Sequence, residues 1–290
     1  MGKVKSIILA LAAAAFYAIN VPFSKILLEN VEAKTMAALL YLGAGVGVGI
    51  MSIFAKSDTD ERLGRKDMPY VIGMVVLDIA APIFLMLGIS YGSSSNASLL
   101  GNFEIVATTL IALLLFNEKV SRKLWMAISL ITISSIILSF EGLESLSFSY
   151  GSLFVILATT CWGLENNCTR SISDKSTYQI VVLKGIFSGL GALVIAILTK
   201  EPMPEAKYIA LALLLGFVAY GLSIFMYVRA QNMLGAAKTS AYYAIAPFIG
   251  SFLSFVFLKE KLTYLYLAAL VVMIAGTLFI VSDTLEQSED

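Results

Sequence analysis

Apolar runs of bilayer-spanning length recur along the chain, separated by short polar breaks. They predict helices near residues 5–28, 35–55, 69–90, 95–117, 122–140, 150–170, 177–199, 207–231, 238–258 and 263–282. Only the loop from Lys56 to Asp67 is long, so no soluble domain fits between them. The pattern is that of an all-α membrane protein with ten transmembrane helices.

One run stands apart. Ala97 to Val120, ASLLGNFEIVATTLIALLLFNEKV, is long enough to cross a bilayer yet carries Glu104 near its middle. At helical spacing Ala97, Gly101, Glu104, Thr108 and Ala112 form a small or polar stripe, expected to face a bundle interior. Leu99, Leu110, Leu113, Leu114 and Phe116 are left mostly for lipid. A diverged copy begins at Thr239, TSAYYAIAPFIGSFLSFVFLKEKL, and places Glu260-Lys261 where the first copy has Glu118-Lys119. Its stripe runs through Thr239, Tyr243, Ala246, Gly250 and Ser254.

The opening helices repeat as well, Tyr17, Asn20, Ser24 and Lys25 matching Trp162, Glu165, Thr169 and Arg170. The chain therefore divides into two five-helix repeats, residues 1–145 and 146–290, within one integral bundle. Five is odd, so the second repeat enters the membrane inverted. Carriers are built this way, with substrate held near the midplane between the halves.

Lysine and arginine bias sets the orientation. Lys3, Lys5, Lys56, Arg62, Arg65, Lys66, Lys119, Arg122, Lys123, Arg170, Lys175, Arg229 and Lys238 fall on the side of the N-terminus, against Lys34, Lys200, Lys207, Lys259 and Lys261 on the other. Both termini are expected in the cytoplasm, the acidic tail Asp283 to Asp290 included, and the membrane is expected to be the plasma (inner) membrane.

Composition agrees. Hydrophobic residues make up 59% and charged residues 14%, with zero net charge and mean hydropathy +0.87. No basic surface suggests nucleic acid. The absence of histidine removes histidine triads, metal sites and proton relays, so proton chemistry falls to carboxylates, lysine or tyrosine. No zinc-ligand cluster, phosphate-cradling loop or nucleophile–base pair is visible, and neither an enzyme nor a cofactor is implied. Cys161 and Cys168 lie seven apart on one helical face, too far to bridge. The first apolar run outlasts a signal-peptide core, so no cleavable signal is expected.

WGLENNCTR at Trp162 to Arg170, with the closing signatures LLLFNEKV and VFLKEKL, resembles the drug/metabolite transporter superfamily, EamA type. The resemblance covers nearly the whole chain and implies transport of small metabolites without naming a solute. It also implies that the fifth helix of each half serves as scaffold or dimer contact. The second repeat has the family's Ala246-Pro247, whereas the first has Glu104-Ile105 in the corresponding place. That acid suggests a substrate or coupling role.

Ionisable groups inside spanning helices are candidate functional residues. Glu104 comes first. Asp78 lies at similar depth, four residues before Pro82, where a backbone carbonyl loses its partner. Glu165 and Lys184, on consecutive helices, form either a structural pair or a substrate or gating element. Lys25 and Arg170 are expected to snorkel to the headgroups. Asn20, Trp162, Tyr17, Tyr220, Tyr242 and Tyr243 are candidate chamber residues, with Phe103 and Tyr227 beside them. Each aromatic is either chamber lining or core packing. The glycines from Gly43 to Gly49 and at Gly185, Gly189 and Gly191 read as close helix packing.

The expected function is secondary active transport, as proton-coupled export of an amino acid or related amine or organic cation by alternating access. The partners are a small-molecule substrate, the bilayer and protons, in a monomer or homodimer. An alternative is a uniporter or importer of a neutral or zwitterionic metabolite, with Lys184 or Arg229 holding its carboxylate. A non-transport membrane protein is the remote alternative.

Overall fold

The computed structural model describes residues 3–54, 61–116, 121–140, 149–234, 239 and 242–286. Lys56, Glu118-Lys119, Lys238 and the end of the acidic tail lie outside them. In chain order the helices are α1 (Lys3–Ala18), α2 (Asn20–Leu27), α3 (Ala33–Phe54), α4 (Met68–Tyr91), α5 (Ser94–Leu100), α6 (Phe103–Phe116) and α7 (Arg122–Leu138). There follow α8 (Tyr150–Arg170), α9 (Thr177–Leu198), α10 (Ala206–Gly216), a π segment (Phe217–Leu222), α11 (Ser223–Leu234), α12 (Ala246–Leu258) and α13 (Tyr264–Glu286).

Among the described residues 6 helical stretches are long and apolar enough to cross a membrane: Val4–Leu27, Ala33–Phe54, Arg65–Tyr91, Thr177–Leu198, Ala206–Ala230 and Tyr264–Asp283. The chain is thus an all-helical, multi-pass membrane protein. The other expected spans are helical too, but broken (α5 and α6), shorter (α7 and α12) or more polar (α8).

Breaks in the helices do the most to shape the interior. The first predicted helix turns at Ile19, because Pro22 offers no N–H to the Ala18 carbonyl. The predicted helix over 95–117 is two helices. The N–H groups of Gly101 and Asn102 bond to Ser98 and Leu99, three residues back, and the axis breaks there. Glu104 consequently lies in the first turn of α6, rather than in mid-helix. A matching turn at Ala244-Ile245 precedes α12, whose Pro247 removes the donor for the Tyr243 carbonyl. Leu99, expected to face lipid, is fully buried. It belongs to the short helix α5, which is enclosed by α12, α8, α2 and α4.

The long helices pair across the middle of the chain: α3 lies along α9, α4 along α8, α1 along α11, and α7 along α13. Contacts between helices in a bilayer rest on close packing. A Cβ on Gly185 would fall 2.3 Å from the Gly45 nitrogen, and one on Gly43 would fall 2.1 Å from the Leu213 carbonyl oxygen. The backbones meet where the glycines are.

Acids late in the chain cap helices early in it. Glu201 accepts from the Thr35 N–H at 2.8 Å and the Lys34 ammonium at 3.0 Å, at the start of α3. Glu260 accepts from the N–H groups of Ser94 at 2.7 Å and Ser95 at 2.9 Å, at the start of α5. Both satisfy amides that a helix start leaves unpaired and complement its dipole. Lys25 does not snorkel. Its ammonium donates to the carbonyls of Ile89 at 2.5 Å and Gly92 at 2.8 Å, closing the C-terminus of α4.

Candidate functional site

Three charged side chains meet in the interior. Lys184, on α9, lies 2.9 Å from Glu165 Oε1 on α8 and 3.1 Å from Asp78 Oδ2 on α4. The Asp78 contact is a charge contact outside hydrogen-bond geometry. Sequence paired Lys184 with Glu165 alone; packing of α4 between α8 and α9 brings in Asp78. All three are buried, Asp78 completely. Tyr41 donates its hydroxyl to Asp78 Oδ1 at 2.8 Å and accepts from the Trp162 indole at 3.3 Å. Thr169 donates to Glu165 Oε1. The two carboxylates leave one formal negative charge after Lys184 is counted.

Beside this cluster lies a set of aromatic rings. Tyr17 meets Tyr220 at a centroid distance of 5.7 Å, Tyr243 at 5.9 Å and Trp162 at 6.5 Å. Tyr220 also meets Tyr41 at 5.1 Å, and Tyr227 meets Tyr243 at 5.0 Å. Residues from α1, α3, α8, the π segment and α11 all contribute. The π segment carries an extra residue per turn, and Tyr220 lies within it. Asn20 donates to the Tyr220 hydroxyl at 2.9 Å and accepts from Ser24 at 3.0 Å, fixing the ring from the start of α2.

Glu104 lies on α6, which packs along α8, the helix of Trp162 and Asn166. Asn166 donates to Glu104 Oε1 at 2.6 Å. Glu104, Tyr17 and Tyr243 are half-buried, whereas Asn20 and Asp78 are sealed. The site thus combines a sealed charged cluster with a more accessible carboxylate. An ammonium or larger organic cation is attracted both by a carboxylate and by ring faces.

Of the candidates read from sequence, Asp78, Glu165, Lys184 and Trp162 come together in one group. Glu104, Tyr17, Tyr220, Tyr243 and Asn20 make the adjoining one. Tyr242 is half-buried beside the rings rather than among them, one helical position round from Tyr243. Phe103 packs against the hydrophobic core. Arg229 lies over the rings of Phe225 at 5.0 Å and Tyr178 at 5.8 Å. Sequence reading did not single out Tyr41. Its signal was a tyrosine hydroxyl in the apolar, glycine-rich run between Thr35 and Ser52.

A family model described as the EamA-like transporter family matches residues 4–140 and again residues 149–282. An "uncharacterized transporter" of Methanothermobacter thermautotrophicus is 23% identical, over 92% of this chain and 83% of its own length. The "uncharacterized transporter YyaM" of Bacillus subtilis is 20% identical, over 71% of this chain and 70% of its own. A solved crystal structure, described only as that of a protein, shares the fold with a TM-score of 0.71 over 99% of both chains at 13% identity.

Proposed function

The chain belongs to the EamA-like transporter family, and from that premise we propose that it exports a small amine-bearing metabolite, an amino acid or related organic cation, in exchange for protons. The observation that carries this reading is Glu104: a half-buried carboxylate held by Asn166, on a helix packed against the one that carries Trp162. A proton and a substrate ammonium compete for such a group, which is the minimum requirement for obligatory exchange. The proposed architecture is ten helices in two inverted five-helix repeats, residues 1–145 and 146–290, with both termini on the cytoplasmic side of a plasma (inner) membrane. The paired breaks at Gly101-Asn102 and Ala244-Ile245 support that symmetry. Alternating access then rocks the halves about the aromatic chamber.

Uptake of a zwitterion through Lys184 fits less well, since that ammonium already faces two carboxylates. The test is flux of an aromatic amine into proteoliposomes under an imposed pH gradient. The gradient is expected to drive accumulation with wild-type protein, and Glu104→Gln is expected to abolish that drive. Undiminished coupling in Glu104→Gln would refute the exchange.

A further inference from the structure

The crossing of the broken helices contains polar atoms that the proposed exchange does not use. Helices α5 and α12 run antiparallel. Ser94 Oγ lies 2.9 Å from Ser254 Oγ, and a Cβ on Gly101 would lie 3.6 Å from the Pro247 ring. Between these contacts, Ser98 Oγ is buried without a hydrogen-bond partner. One turn on, Asn102 is 1% exposed, and neither its amide oxygen nor its amide nitrogen has a partner. Leaving such groups dry and unpaired is unfavourable.

A third oxygen lies close to Ser98 across Gly250. A Cβ built on Gly250 would lie 3.0 Å from the Ala18 carbonyl oxygen and 3.1 Å from Ser98 Oγ. The two oxygens therefore flank the bare face of Gly250. Ala18 closes α1, and Pro22 gives its carbonyl no N–H. The C-terminal ends of α1 and α5 both approach here, and each brings partial negative charge. The oxygens are hydroxyl, amide and carbonyl, with no carboxylate among them. Neutral oxygens at half-helix C-termini suit a hard monovalent cation.

We propose that Ser98, Asn102 and the Ala18 carbonyl, opposite Gly250, form a sodium-ion site where the broken helices cross. The ion ties α1 and α5 to α12, and its entry and release set how firmly the two halves are held together. The proposal concerns a site separate from Glu104 and rests on the carrier reading only for its role in transport. Binding is therefore measured without transport.

The experiment follows the melting of the purified full chain in detergent as sodium replaces choline at constant ionic strength, with potassium as the comparison. Sodium is expected to raise the melting temperature saturably by about 2–4 °C, and potassium is not. Ser98→Ala, Asn102→Ala and Gly250→Ala, the last placing a methyl between the two oxygens, are expected to lose that rise. Asn102→Asp, which keeps an oxygen ligand, is expected to retain it. Ser98→Ala removes one unpartnered hydroxyl and leaves the fold intact, so the test stands even where Asn102→Ala misfolds. An equal response to sodium, potassium and choline, or a full sodium response in Ser98→Ala, would mean that water alone occupies the crossing and would overturn the proposal.

Discussion

An ammonium as deeply buried as that of Lys184 needs carboxylates within reach, and it has Glu165 at 2.9 Å and Asp78 at 3.1 Å. Removing one member of such a group leaves an uncompensated charge in a low-dielectric interior. Lys184→Met is expected to destabilise the protein by about 3–5 kcal/mol. Neutralising all three as Asp78→Asn, Glu165→Gln and Lys184→Met is expected to recover most of that loss, read as denaturation midpoints. A triple variant no more stable than Lys184→Met would show that the cluster is not held by attraction between its charges. Glu201 allows a simpler test. Its burial alone would raise its pKa; the hydrogen bonds from Thr35 and Lys34 outweigh that and hold the carboxyl below the ordinary range. A depressed folded-state pKa means stability that is full above the unfolded value and lost as pH falls through the folded one. Acid-melting curves of Glu201→Gln are therefore expected to be flatter than wild type below about pH 4, with a loss at neutral pH of about 0.5–2 kcal/mol for the weakened cap. At this scale the charged residues were legible, because a charge in an apolar run is conspicuous. The partnership of Asp78 with Lys184, and the part played by Tyr41, were not. They depend on which helices become neighbours.

Among the elements, the breaks carry most of the information. The donors lost at Pro22 and Pro247 were legible, since a proline leaves the carbonyl four residues back unpaired, whereas α4 runs on through Pro82. The break at Gly101-Asn102 was not, because a glycine in an apolar run reads equally well as one of a stripe of small residues. What decides it is packing: Gly101 lies against Pro247, and Glu260 draws the start of α5 toward the end of α12. The α3–α9 contact makes a second prediction. Gly185→Ala puts a methyl onto the Gly45 backbone, which has no side chain to move aside. It is expected to destabilise by about 1–3 kcal/mol or more. Gly49→Ala, whose added Cβ would meet only Val182 at 3.8 Å, is expected to be nearly neutral. Equal melting temperatures for the two variants would argue against the close crossing.

For the molecule as a whole, duplication was legible because the charged ends and a polar opening helix recur in the same order in both halves. The cross-pairing of halves, α3 with α9 and α4 with α8, was hidden, since it follows from how two surfaces fit. That pairing builds both groups from both halves: Asp78 with Glu165 and Lys184, and Tyr17 and Tyr41 with Tyr220 and Tyr243. The proposed exchange is tested most directly by proton release on binding. Purified protein in weak buffer is mixed with an aromatic amine, and pH and bound amine are followed together. The account predicts that each amine bound displaces a proton, that affinity rises with pH, and that both effects vanish in Glu104→Gln. Amine binding that releases no proton and is indifferent to pH would contradict it.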